Sequence, residues 1–213
     1  MATSQPIAKA PEVRMSSTVA ELYQHDHFQA QKKMLKLVGG SFYLRTMDGR
    51  LLAYSKQKAF KLKEDIRIYS DEAMTHELLY IQADRIVDFS AAYSVIDSQT
   101  GERVGSLRRK GWSSLFRDSW EMLDPDGNVR GHVIEDSGWK ALARRMIDLA
   151  GLLLPQTYLL QVDGQTVATM KQNFLGIPPK FTIDLTHDID GRLPRPLAVA
   201  MVILLLAIEG RQH

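Results

Sequence analysis

The stretch LAVAMVILLLAI, residues 197–208, decides how this chain is built. Every residue in it is apolar, so a helix made from it has no polar face to offer water. Such a helix spans ~18 Å at ~1.5 Å per residue, well short of the ~30 Å hydrocarbon layer of a bilayer. It cannot be lengthened, because Arg192 and Arg195 interleave with Pro194 and Pro196 upstream, and Glu209 and Arg211 follow downstream. A helix that is apolar all round and does not cross a membrane has to be surrounded by protein. Pro196 suits its first turn and Gly210 its C-terminal stop.

What surrounds it is signalled by the sequence upstream, where apolar and polar residues alternate between turn residues. Phe42–Arg45 and Leu51–Tyr54 flank Met47-Asp48-Gly49-Arg50, which reads as a hairpin with an Asp-Gly turn. Phe60, Leu62, Ile66 and Ile68 share one face of the next strand, with Lys61, Lys63, Asp65 and Arg67 on the other. Leu79, Ile81 and Ala83 continue the alternation, and Val87-Asp88-Phe89 leads into a further strand. Three more hairpins follow: AYSVID with RVGSLRR, SWEML with VRGHVI, and YLLQV with TVATMK. Each pair is joined by a Gly- or Asx-bearing turn. Phe181, Ile183 and Leu185 mark a last strand. One amphipathic helix interrupts the series from Trp139 to about Leu153, with Lys140, Arg144 and Arg145 on its polar side. A closed sheet wrapped around the apolar C-terminal helix meets all of these demands and leaves few open edges.

The 213 residues suit one domain, expected over residues 28–213 behind a polar, disordered lead-in of residues 1–27. Hydrophobic content of 45% is enough for a sizeable core without staples. With no cysteine, disulfides and thiolate metal sites are excluded, and a reducing, cytoplasmic setting fits. A formal net charge of +2 gives no ground for a nucleic-acid partner.

No catalytic constellation stands out. There is no Gly-x-Ser-x-Gly elbow, and Gly105–Gly111 lacks the Gly-Lys-Ser/Thr ending of a phosphate loop. Glu135 and Asp136 are adjacent, so on a strand they face opposite ways and make a poor acid–base pair. Asp184, His187, Asp188 and Asp190 could offer oxygen to a hard cation. They lack the spacing of a calcium loop, and a solvated turn is the simpler account. Asp124-Pro125-Asp126-Gly127-Asn128 reads as turn chemistry, and His25 and His27 as a chance polar pair. No metal site or cofactor is expected. Basic groups give the positive hint. Arg108, Arg109 and Lys110 end a strand just before Trp112, Lys56, Lys58, Lys61 and Lys63 line an earlier strand region, and Lys140, Arg144 and Arg145 decorate the helix. Guanidinium groups beside an interfacial Trp suit a phospholipid headgroup. An ordinary solvated surface, neutralised by Glu64, Asp65, Glu135 and Asp136, is the plainer alternative.

The runs DFSAAYSVIDSQTGERVGSLRRKGW (88–112), RDSWEMLDPDGN (117–128) and HVIEDSGWKALARR (132–145) resemble the tubby-like barrel superfamily. Within it, the chain is similar to bacterial relatives of the phospholipid scramblase and LURP-one-related (LOR) families. LKEDIRIYSDE (62–72) and AIEGRQ (207–212) fit the same pattern. The resemblance implies a twelve-stranded antiparallel barrel around a central hydrophobic C-terminal helix. It also implies lipid-linked roles, since tubby proteins are phosphoinositide-binding adaptors and scramblases are linked to calcium and lipid. The chain departs from scramblases in lacking a cysteine cluster and a long proline-rich N-terminal region. The expectation is a non-enzymatic module without a transmembrane segment. It would bind an anionic phospholipid headgroup or a protein partner at the membrane surface. Scramblase-like lipid translocation, or a purely structural or protein-interaction role, is the alternative.

Overall fold

The alternation becomes twelve strands, each paired antiparallel with its sequence neighbours, and the first and last pair to close the ring. The structure, a computed structural model, describes residues 21–35, 39–57, 65–84, 92–110, 119–136, 156–173 and 180–209. The strands are β1 (His27–Leu35), β2 (Gly39–Arg45), β3 (Leu51–Gln57), β4 (Ile66–Tyr69), β5 (Glu77–Ala83) and β6 (Ala92–Asp97). They continue as β7 (Arg103–Arg109), β8 (Trp120–Leu123), β9 (Val129–Glu135), β10 (Thr157–Val162), β11 (Gln165–Asn173) and β12 (Lys180–Asp184). The expected hairpin segments AYSVID and RVGSLRR are β6 and β7 from end to end. The expected amphipathic helix at 139–153, the segment 60–64 and Val87–Phe89 lie outside the described residues, as does Gly210.

The C-terminal helix, Arg195–Glu209, runs inside this ring. Ala198, Ala200, Met201, Val202, Ile203 and Leu204 are 0% exposed, as a helix with no polar face requires. Inward residues of the strands pack around it, among them Phe28, Phe42, Ile68, Leu107, Val133 and Ile183. Among the described residues no helix is long and apolar enough to cross a membrane.

β1 was not signalled by the sequence, and Lys32 shows why. Phe28, Ala30 and Lys32 alternate on the inner face, so a charge interrupts the apolar pattern. Lys32 is 5% exposed, its ammonium 3.4 Å from the Leu206 carbonyl and 5.7 Å from the Phe42 ring centroid. A cation there meets the negative end of the helix dipole.

The residues ahead of β1 are tied to the barrel. Residues 21–24 form a helical turn, and Leu22 is 1% exposed within the core. The Asp26 carbonyl accepts the Leu185 N–H at 2.8 Å, and its carboxylate holds Arg195 at 2.7 Å. Leu22 and Tyr23, within the stretch expected to be a lead-in, thus pack against the barrel.

Antiparallel order gives the barrel two unlike ends. The tight turns at 46–50, 70–76, 98–102, 124–128 and 163–164, and the approach to the helix at 185–194, all lie at one end, the turn end. The strand ends flanking 36–38, 58–64, 85–91, 111–118, 137–155 and 174–179 lie at the other.

Candidate cationic rim

Arg108 and Glu121 face each other directly across the β7–β8 ladder. Leu107 and Met122 point into the core, so alternation sends Arg108 and Glu121 to the outer face. Arg108 donates from Nε and Nη2 to Glu121 Oε2 at 2.8 and 2.6 Å, and Lys110 Nζ lies 2.7 Å from Oε1. The Glu121 side chain is 8% exposed, against 40% for Arg108 and 54% for Lys110. Burial opposes charge on Glu121, but hydrogen bonds from Lys110 and Arg108 outweigh it and hold the carboxyl below its usual range. One buried carboxylate thus fixes two cations side by side and leaves their outer faces to solvent. Arg109 alternates to the inner side near the rim, opposite Trp120, and has interactions of its own.

Of the residues singled out from sequence, Arg108, Arg109 and Lys110 are brought to one strand end. Trp112, Lys61, Lys63, Lys140, Arg144 and Arg145 lie outside the described residues. Sequence reasoning named Glu64, Asp65, Glu135 and Asp136 as neutralising groups and missed Glu121. Glu121 sits between Trp120 and Met122 and becomes Arg108's partner only through strand register.

A second feature was read only in part, since of its four lysines Lys56 alone stood out from the sequence. Lys56, Lys33, Lys180 and Lys171 stand on β3, β1, β12 and β11, within a run of neighbouring strands, and all are exposed at the end opposite the tight turns. Lys33 pairs with Ser41, which pairs in turn with Lys56, so these two lysines share an outward row across two ladders. Two ladder spacings separate their backbones by about 10 Å. Lys180 begins β12 opposite Gln31, and Lys171 lies opposite Thr182. The Lys33 ammonium sits over the Tyr43 ring at 4.6 Å, which orders its stem. Lys33, Lys171 and Lys180 are too far apart in sequence to register as a motif, and only closure of the sheet gathers them beside Lys56.

The turn end carries Asp48, Asp71, Glu72, Asp124, Asp126 and Asp163 in its turns, together with Arg50, Arg130 and Arg192, and the opposite end also bears Asp65, Asp84, Glu135 and Asp136. The acidic segment before the helix is committed to its own loop. Asp184 accepts from the Thr186 N–H and hydroxyl at 2.9 and 2.6 Å and meets His27 Nε2 at 3.2 Å. Asp188 accepts from the Arg192 and Leu193 amides, and Asp190 pairs with Arg192 at 2.8 Å. Among the described residues no group of three His, Asp or Glu side chains converges in a way that could hold a metal ion.

A family model described as LOR, LURP-one-related, matches residues 51–206. The X-ray structure of an Arabidopsis thaliana protein is similar at 14% identity and a TM-score of 0.46, covering 87% of this chain and 92% of that one. Comparison with curated proteins finds no match.

Proposed function

The chain belongs to the LURP-one-related family, and from that premise we propose a non-enzymatic binding module that holds anionic phospholipid headgroups at a membrane surface. Family and barrel do not by themselves give a ligand, so the reading rests on the surface. One observation carries it. Exposed lysines from β1, β3, β11 and β12 gather at the same barrel end as the Arg108–Lys110 pair, where they outnumber the carboxylates of the neighbouring strands β11, β12, β1, β2 and β3, while Asp65, Asp84, Glu135 and Asp136 stand on other strand ends of that rim. Such a rim suits a plane of negative charge, where each lysine near the surface contributes about 1 kcal/mol. Arg108 and Lys110, already oriented by Glu121, would receive a phosphate without first being ordered. Peripheral attachment from the cytoplasmic side follows from this reading.

Lipid translocation is less well supported. Residues 197–207, the stretch that would have to enter a bilayer, are enclosed by the strands.

Vesicle co-sedimentation tests the proposal. Vesicles of phosphatidylcholine with phosphatidylserine or a phosphoinositide should retain the protein at low salt and release it as salt rises, whereas phosphatidylcholine alone should not retain it. Replacing Lys33 and Lys56 by Ala should weaken retention by about 5-fold per lysine, and replacing Arg108, Arg109 and Lys110 together should reduce it further. Retention that ignores lipid charge and salt would overturn the lipid reading. Retention by an acidic protein instead of vesicles would assign the rim to a protein partner.

A further inference from the structure

At the turn end, remote from the cationic rim, a cleft of about 400 Å³ opens between the β8–β9 hairpin and the start of the C-terminal helix. That volume falls within the ~300–1,000 Å³ of small-molecule sites. Its walls are apolar, formed by Val104, Met122, Leu123, Val162, Leu193 and Leu197. All of these except Val104 are buried in the fold. Asp124, Asp126, Arg130 and Arg192 stand at its edge.

The charges at this edge are not equivalent. Asp124 is turned into its own hairpin, where the Asn128 N–H and side-chain amide donate to it at 2.8 and 3.1 Å. Arg192 is occupied by Asp190, with Nε and Nη2 at 3.1 and 2.8 Å from one carboxylate oxygen. Asp126 is exposed at the hairpin tip. Arg130 is exposed, and its guanidinium makes no hydrogen bond or ion pair to a described residue. The wall opposite the hairpin contains Pro194 and Leu197, at the start of a helix whose first turn has no acidic residue.

We propose that this cleft binds an amphipathic anion, with an unbranched apolar tail on the walls and a carboxylate or phosphate head against Arg130. The walls reward removing a chain from water, and the Arg130 guanidinium, which feels the Asp124 charge but makes no hydrogen bond or ion pair to a described residue, offers a two-pronged donor to an oxyanion. Asp126 weakens this preference and so supplies a second lever on it. The inference is independent of the cationic rim, because the two features lie at opposite ends of the barrel.

The test compares three probes with the same ten-carbon tail (decanoate, decanol and decyltrimethylammonium), each below its micelle concentration, by titration calorimetry on the full chain. Decanoate should bind tightest. Arg130→Glu, an exposed change, should weaken decanoate by about tenfold or more and favour the cationic probe. Asp126→Asn should tighten decanoate binding. Val104→Trp, which fills the cleft from a partly exposed position, should remove binding of all three probes while circular dichroism stays unchanged. A preference for the cation or for decanol, or equal binding by wild type and Arg130→Glu, would overturn the proposal. So would the absence of binding by any probe. Loss of vesicle retention with decanoate binding intact would sink only the membrane reading, and the converse only this one.

Discussion

Glu121 accepts two N–H groups from Arg108, its direct partner across the ladder, and sits more deeply than either cation it holds. Removing the carboxylate leaves Arg108 and Lys110 to repel one another. Both cations are substantially solvated, which keeps the cost moderate. Glu121→Gln should lower stability at neutral pH by about 1–2 kcal/mol in urea unfolding.

The same pair sets a pH dependence. The folded-state pKa of Glu121 is depressed below its ordinary value, which is about 4.3. In the window between the two values the unfolded chain binds the proton more readily. The stabilisation is therefore complete above the ordinary value and is lost as pH falls through the depressed one. Wild type should lose stability more steeply than Glu121→Gln below about pH 5. Parallel acid limbs for the two proteins would refute the assignment.

Glycines at close approaches should tolerate substitution less well than a turn glycine. A Cβ on Gly131 would lie 2.2 Å from the Gln161 carbonyl oxygen and 2.7 Å from Met122 Cε. One on Gly105 would lie 2.4 Å from the Leu123 carbonyl oxygen and 3.1 Å from Leu197 Cδ1. In both cases backbone must move, with a core side chain behind it. Gly131→Ala and Gly105→Ala should each cost about 3 kcal/mol or more. Gly49 has φ +97° but open space around it, so Gly49→Ala should cost only about 1 kcal/mol. Thermal melts of the three variants should keep that order.

Asp188 is 6% exposed and organises the approach to the helix, accepting the Arg192 N–H at 2.7 Å and the Leu193 N–H at 3.2 Å. Asp188→Ala would leave these donors without their acceptor and should destabilise by about 1–3 kcal/mol. Asp188→Asn retains an acceptor oxygen and should recover part of the loss, which chemical denaturation can measure.

The fold was legible wherever one local rule governed a segment. AYSVID and RVGSLRR flank the turn at Gly101 and are β6 and β7 from end to end, with one irregularity between Val95 and Ile96. Residues 197–208 had no polar face and so allowed only an enclosed helix or a membrane, with length deciding between them. Legibility failed where tertiary structure overrode the local pattern. Lys32 occupies an inward position because the helix end presents Leu206's carbonyl to it, and this hid β1. Arg108, Arg109 and Lys110 stood out as a run, as did Lys56 with its basic neighbours, whereas Lys33, Lys171 and Lys180 are ordinary surface residues until β12 pairs with β1. Glu121 was unreadable for the same reason, since its role depends on strand register.

The enclosed helix makes a demanding prediction, because its side chains form the centre of the core. Leu204 is 0% exposed, and Leu204→Ala should cost about 2–5 kcal/mol according to how far the barrel can close on the cavity. Val202 is equally buried. Val202→Asp would place a carboxylate in the hydrophobic core, fully out of water, and the chain should fail to fold cooperatively near neutral pH. A helix lying on a surface or free in solvent would respond differently, with Val202→Asp tolerated and Leu204→Ala costing well under about 1 kcal/mol. Urea unfolding of Leu204→Ala, with near-ultraviolet circular dichroism of Val202→Asp, separates these outcomes. A native-like spectrum for Val202→Asp would mean that the strands do not enclose the helix.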